Sequence, residues 1–210
     1  MLQKELLNLL PLKKQSLIIM KKPVKILLWI LGVLLGLVLL FMFVVGPIMK
    51  KQTKKHSPEQ NITYTQNDLE LTAFYSSPSK KGREIFGGLV PYGEVWRTGA
   101  NEATTFTTNK ELTIDGEKLA AGTYTLWTIP NEDTWQIIFN SKMYGWGVKV
   151  TDQKAAREAE HDALVTEVNV SKSYNVTENF SISFEDGDSG SVIMLIAWDN
   201  VVVGVKMDSE

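Results

Sequence analysis

The chain contains no cysteine and only two histidines, His56 and His161, in 210 residues. Without cysteine there is no disulfide framework, thiolate zinc site, iron–sulfur cluster, thiol nucleophile or thioether lipid anchor. Two histidines leave little material for an imidazole metal centre, and no metal site is expected. A surplus of one charge is missing too. The 22 basic and 24 acidic residues give a formal net charge of −2, which argues against nucleic-acid binding. There is no Gly-x-Ser-x-Gly elbow, no glycine loop opening a helix and no dinucleotide fingerprint, so neither a serine hydrolase nor a nucleotide cofactor is supported. No cofactor of any kind is expected. What the chain does have is apolar substance: 44% of its residues are hydrophobic, enough for one ordinary domain plus an appendage.

Charge is absent altogether from Ile26 to Val45, where only Gly32 and Gly36 interrupt bulky apolar side chains. Twenty such residues at 1.5 Å rise make a helix of about 30 Å, the thickness of a bilayer core. Trp29 stands near its leading end, where an interfacial aromatic belongs, and Gly46-Pro47 is expected to end the helix. No small-x-small cleavage site follows. The run therefore reads as an uncleaved signal anchor over residues 26–48 of a single-pass inner-membrane protein. Its C-terminal domain would lie on the periplasmic or extracytoplasmic side. Five flanking lysines (13, 14, 21, 22, 25) precede the run and four (50, 51, 54, 55) follow it, which sets no orientation by itself.

Residues 1–25 form a basic N-terminal segment. Met20 opens Met-Lys-Lys-Pro-Val-Lys, the form of a bacterial n-region, so translation starting at Met20 is one reading of residues 1–19. An interfacial helix carrying Leu2, Leu6, Leu9 and Leu10 and broken by Pro11 is the other. Residues 1–59 carry a net +8 (ten basic, two acidic), and residues 60–210 a net −10 (twelve basic, twenty-two acidic). The basic part suits anionic head groups; the acidic part suits a soluble domain.

Residues 49–60 read as a polar linker and residues 61–210 as an all-β domain. Leu69, Leu71, Ala73 and Tyr75 alternate with polar neighbours, as do Leu164, Thr166, Val168 and Val170, and then Phe180, Ile182 and Phe184. Asp115-Gly116 predicts a tight hairpin, and Asn131–Asp133 and Asp199-Asn200 predict turns. Residues 192–198, apolar on both faces, suit a strand between two layers. A calcium loop is not matched: Glu185-Asp-Gly-Asp-Ser-Gly190 lacks the ligand spacing and reads as a turn. Only residues 152–160 read as a helix, short and alanine-rich. The fold class expected is an antiparallel β-sandwich or jelly roll with one short helix, preceded by a single transmembrane helix.

Residues 82–102 break the period of two and carry five glycines with Arg83, Glu84, Glu94, Arg97, Asn101 and Glu102, interleaved with Tyr92 and Trp96. Arginine forks, carboxylates and aromatic plates are what a polar binding site uses. The run Gly82-Arg-x-Ile-Phe-Gly-x-Leu-Val-Pro-Tyr-Gly-x-Val-Trp-Arg-Thr-Gly-Ala-Asn-Glu-Ala-Thr104 resembles the signature of the bacterial domain-of-unknown-function family 2911. The likeness continues through Ala121–Pro130, Trp135–Asn140 and Trp146-Gly147 and covers most of residues 65–205; residues 151–162 depart from it. The resemblance implies a protein of Bacteroidetes-type bacteria placed behind an export signal, and it implies no activity.

The expectation is a membrane-anchored β-sandwich module of the cell envelope that binds a ligand or partner through residues 82–102. Arg97, Asn101 and Glu102 would be polar contacts and Tyr92, Trp96 and Trp146 apolar walls, with an envelope glycan or a neighbouring envelope protein as target. Two alternatives stand beside it. Glu94 and Glu102 could serve as acid and base of a glycan hydrolase, which needs carboxylates roughly 5–9.5 Å apart. Or Arg83 and Arg97, paired with Glu84, Glu94 or Glu102, could simply pin a long loop in a structural module. No sequence feature sets an oligomeric state.

Overall fold

The computed structural model describes residues 22–209; the two readings of residues 1–19 lie outside them. The chain forms two compact units, Met1–Met49 and Lys50–Glu210.

The first unit holds helix α1 (Lys22–Leu40), long and apolar enough with its continuation to cross a membrane. Gly46-Pro47 does not end it. A π-turn over Phe41–Val45 follows α1, and α2 (Gly46–His56) continues the helix into the residues expected to be linker. The physical reason lies in the hydrogen bonding. The Gly46 N–H bonds five residues back to the Phe41 carbonyl, so the ladder is already shifted where Pro47 would otherwise meet the fourth carbonyl before it.

The second unit is an antiparallel β-sandwich. Its strands are β1 (Glu59–Gln66), β2 (Leu69–Ser76), β3 (Thr104–Thr108), β4 (Leu112–Ile114), β5 (Glu117–Leu119), β6 (Gly122–Pro130), β7 (Thr134–Asn140), β8 (Asp162–Asp186) and β9 (Val192–Ser209). They pair in the order β1-β2-β3-β6-β7-β8-β9-β4-β5. β8 makes the fold possible, because it belongs to both layers. Its first residues pair with β7, from Asp162 to Asn169, and the rest pairs with β9 out to Asp186↔Val192. The two alternating runs expected as separate strands are therefore one long strand.

Register shifts between Lys172 and Ser181 let β8 change layer, and β9 bends with it at Asp199 (φ 57°). Asp199-Asn200 is thus a bend within one strand, not a turn between two. Asp115-Gly116 does form its hairpin, with φ 51° and 80° as a type I′ turn requires.

The layers close over one core. Phe106 of β3 meets Phe184 of β8 at 6.3 Å between centroids, and Tyr75 of β2 meets Phe180 at 5.5 Å. Leu71, Phe106, Leu126, Ile137 and Phe139 face Ile182, Met194, Ile196 and Val203 in the same cluster. The strands buried on both faces are β6 and β7 rather than residues 192–198, whose outer face is half-exposed. Behind β6 and β7, Trp127 and Ile138 form a second small cluster with Ala103, covered by Val95, Tyr144, Ala155 and Ala156.

That cover explains the missing helix at residues 152–160. Gln153 takes φ 59°, Asp152 accepts from the Lys154 N–H, and Val148 bridges Ala155. The segment is a hairpin-like turn that presents Ala155 and Ala156 to the small cluster, and tertiary packing overrides alanine's helix propensity. A single 3₁₀ turn, Ala159–His161, is all the helix there. Residues 187–190 make the turn between β8 and β9, with the Gly187 N–H on the Ser191 carbonyl at 2.8 Å.

Candidate functional site

Residues 82–102 close one end of the sandwich. Ile85, Phe86 and Val90 enter the core, tied by the Leu89 N–H to Glu84 carbonyl and Val90 N–H to Ile85 carbonyl bonds. Trp96 then continues the sheet where β3 has run out, exchanging both backbone hydrogen bonds with Thr128 of β6 at 2.7 and 3.0 Å. Its ring stacks on Trp198 (6.0 Å, 16°) and meets Phe86, Trp135 and Phe180 edge-on. The indole N–H donates to the Gly99 carbonyl at 3.1 Å. Trp96 is therefore fixed by the aromatic core on several sides.

In front of this plug lies a cavity of about 950 Å³. Trp96, Trp198, Leu89 and Val148 are among its apolar walls; Lys81, Arg83, Glu94, Arg97, Lys149 and Lys154 are its charged lining, with His56 beside them. Of the residues singled out from sequence, Trp96, Arg97 and Glu94 line it, while Tyr92, Asn101, Glu102 and Trp146 do not. Tyr92 packs on the core beneath Gly87, and Trp146 is 42% exposed.

Arg97 is held by shape rather than by charge. Gly147 (φ 70°) lies against its stem: a Cβ there would fall 3.0 Å from Arg97 Cδ and 3.2 Å from the Ala103 nitrogen. Burial pulls the guanidinium below its ordinary pKa, opposed by the charge of Glu102. Yet the guanidinium makes no hydrogen bond or ion pair among the described residues. The same turn holds Asn101 (φ 58°), whose buried Nδ2 has no hydrogen-bond partner among them.

Glu102 is engaged elsewhere. It takes Lys54 at 3.2 Å and Lys50 at 3.6 Å, and accepts from the Ser76 hydroxyl at 3.4 Å. Burial pushes its carboxyl up, but its own backbone N–H, Lys54 and Lys50 outweigh that and hold it below its ordinary value. Lys54 also bonds Glu59, which with Glu102 raises the lysine against the opposing effect of burial. Arg83 donates to the Lys80 carbonyl at 2.9 Å and to the Ser79 carbonyl. Neither Arg83 nor Arg97 forms an ion pair with Glu84, Glu94 or Glu102 among the described residues, so the loop is not pinned by arginine–carboxylate pairs. Backbone carbonyls and two lysines of α2 take those roles.

Sequence reasoning does not find Lys81, Lys149, Lys154 or His56 as cavity residues. Lys149 and Lys154 arrive from the turn at residues 147–156, some fifty positions from Arg97, and nothing local marks that meeting. Glu158, Glu160 and His161 bring potential metal-ligand atoms within 4.8 Å of one another, but Glu158 already takes Lys142 Nζ at 2.5 Å.

No curated protein and no solved structure matches the chain. The family described as "protein of unknown function (DUF2911)" matches residues 57–207, nearly all of the sandwich, from before β1 to within two residues of the end of β9, and the chain belongs to that family.

Proposed function

We propose that this protein is a membrane-anchored binding module of the cell envelope, with its sandwich on the extracytoplasmic side and its ligand in the cavity before Trp96. One observation carries this reading. The half-buried Arg97 side chain packs its stem against Gly147, its guanidinium has no acceptor among the described residues, and it lines an open cavity. A guanidinium held in place at a cavity wall, with its donors uncommitted to protein acceptors, is ready to take a ligand's acceptor. The long apolar helix supports the anchor, and the aromatic and arginine lining suits an envelope glycan or a segment of a neighbouring envelope protein.

The carboxylates favour binding over hydrolysis. Glu94 is the one carboxylate lining the cavity among the described residues, while Glu102 is held by Lys54 and Lys50 and lines no part of it. Full-length protein in detergent, applied to an envelope-glycan array, should retain a subset of glycans without turning them over. Arg97→Ala should abolish retention. So should Leu89→Trp, which fills the cavity from an exposed position. Retention unchanged in both variants would refute the site; turnover lost in Glu94→Gln would restore the hydrolase reading.

A further inference from the structure

Residues 60–210 carry twelve basic and twenty-two acidic side chains. The cavity inverts that ratio: five of the twelve cations line it (Lys81, Arg83, Arg97, Lys149, Lys154) and one of the twenty-two acids, Glu94. None of the five makes an ion pair among the described residues. Arg83 spends donors on backbone carbonyls, and Lys81 Nζ stands 3.4 Å from the His56 ring nitrogen. Like charges gathered in an apolar-walled recess repel one another and focus a positive potential there. An acidic domain that gathers five cations without ion-pair partners around one recess suits an anion there.

We propose that the cavity binds a phosphate ester, with the Arg97 fork as the main contact to the phosphate oxygens and Lys149 and Lys154 closing over them from the facing turn. This rests on the reading of the cavity as a ligand site and adds its chemistry. A carboxylate would bring one charge to five cations. A phosphate monoester carries close to two and offers three acceptor oxygens, a better match to a guanidinium fork with lysines around it. Leu89, Pro91, Trp96 and Val148 leave apolar wall for the organic body of the ester.

The phosphate can arrive in water or on a lipid, and the two kinds of probe below tell these sources apart.

The test uses the full chain in an uncharged maltoside detergent at fixed ionic strength, read as the shift of the thermal midpoint with added probe. Three soluble probes share one ring and differ in the anion: glucose 6-phosphate, glucuronate and glucose. Two lipid probes doped into the micelle, phosphatidic acid and diacylglycerol, differ only by the phosphate. The expected result is a saturable upward shift with glucose 6-phosphate, phosphatidic acid or both, the responding arm naming the source. Lys149→Ala/Lys154→Ala, both at exposed positions, should weaken the apparent affinity at least about tenfold, and Arg97→Lys likewise. A glucuronate response equal to or stronger than that of glucose 6-phosphate overturns the assignment to phosphate while keeping an anion site. A response to glucose or diacylglycerol alone overturns the anion but leaves a ligand in the cavity. No shift with either phosphate probe overturns the proposal, and the glycan array then decides separately whether the cavity is a site.

Discussion

Lys54 Nζ lies 3.2 Å from Glu102 Oε1, so the last turn of α2 is tied to the turn that carries Arg97. Three contacts meet at this carboxylate, since Lys50 and the Ser76 hydroxyl share it. Substituting either partner should lower the thermal midpoint by a few degrees. The effects of Lys54→Ala and Glu102→Gln should not add, because each removes the same contact, and a double-mutant cycle by calorimetry reads this directly. Additive losses would show that the two side chains act independently.

The same carboxylate sets a pH dependence. Its pKa is lowered in the folded state, so its stabilising contribution is complete above the ordinary glutamate range and is lost as pH falls through the lowered value. Unfolding midpoints recorded from neutral pH downward should decline less steeply for Glu102→Gln than for the unsubstituted protein. Parallel curves would contradict the assignment.

Tyr64 gives the opposite sign. Burial, joined by its hydrogen bond to Asp186 and that group's charge, pushes the phenol up to about 12. A raised tyrosine pKa stabilises the fold below the ordinary value near 10, and that contribution is lost as pH rises through 12. Ultraviolet titration of the folded protein should lose a high-pH tyrosine step in Tyr64→Phe, while the steps of Tyr75, Tyr92 and Tyr124, themselves raised by burial, remain. A titration identical in both proteins would refute the contact.

Gly147→Ala separates the site from the scaffold. The new methyl would press on Arg97 Cδ from a backbone at φ 70°, where side chains are strained, at a cost of about 1–2 kcal/mol. Ligand retention should fall along with stability because the guanidinium is displaced. Phe106→Ala, in the core and fully buried, should cost about 3–5 kcal/mol yet leave ligand affinity unchanged in the folded fraction. Equal effects on affinity would mean that Arg97 has no special place.

The sandwich is largely legible in the sequence, because a half-buried strand writes its burial into alternate residues: Phe180, Ile182 and Phe184 need no tertiary information. Asp115-Gly116 is legible for a related reason, since a primed turn suits that pair. What stays hidden depends on partners remote in sequence. Residues 155 and 156 look helical until they are known to cover the small cluster of Ala103, Trp127 and Ile138. Pro47 looks like a helix stop until the π-turn before it is seen. At the site, Trp96 and Arg97 stand out within their glycine-rich run. The lysines that complete the cavity do not, because an exposed lysine in a polar turn looks the same whether it faces solvent or a ligand.

Whether Arg97 is an open contact can be read before any ligand is added. The chain has three arginines, at positions 83, 97 and 157, so arginine side-chain NMR of the full protein resolves them one by one. Arg157 is locked on Asp162 by two hydrogen bonds and supplies an internal standard for a paired guanidinium. If Arg97 is an open contact, its terminal amino groups rotate freely and average to one signal, then split as glucose 6-phosphate or another retained ligand is added. An Arg97 signal already split like that of Arg157, and unmoved by every probe, would make it a structural residue and contradict the account.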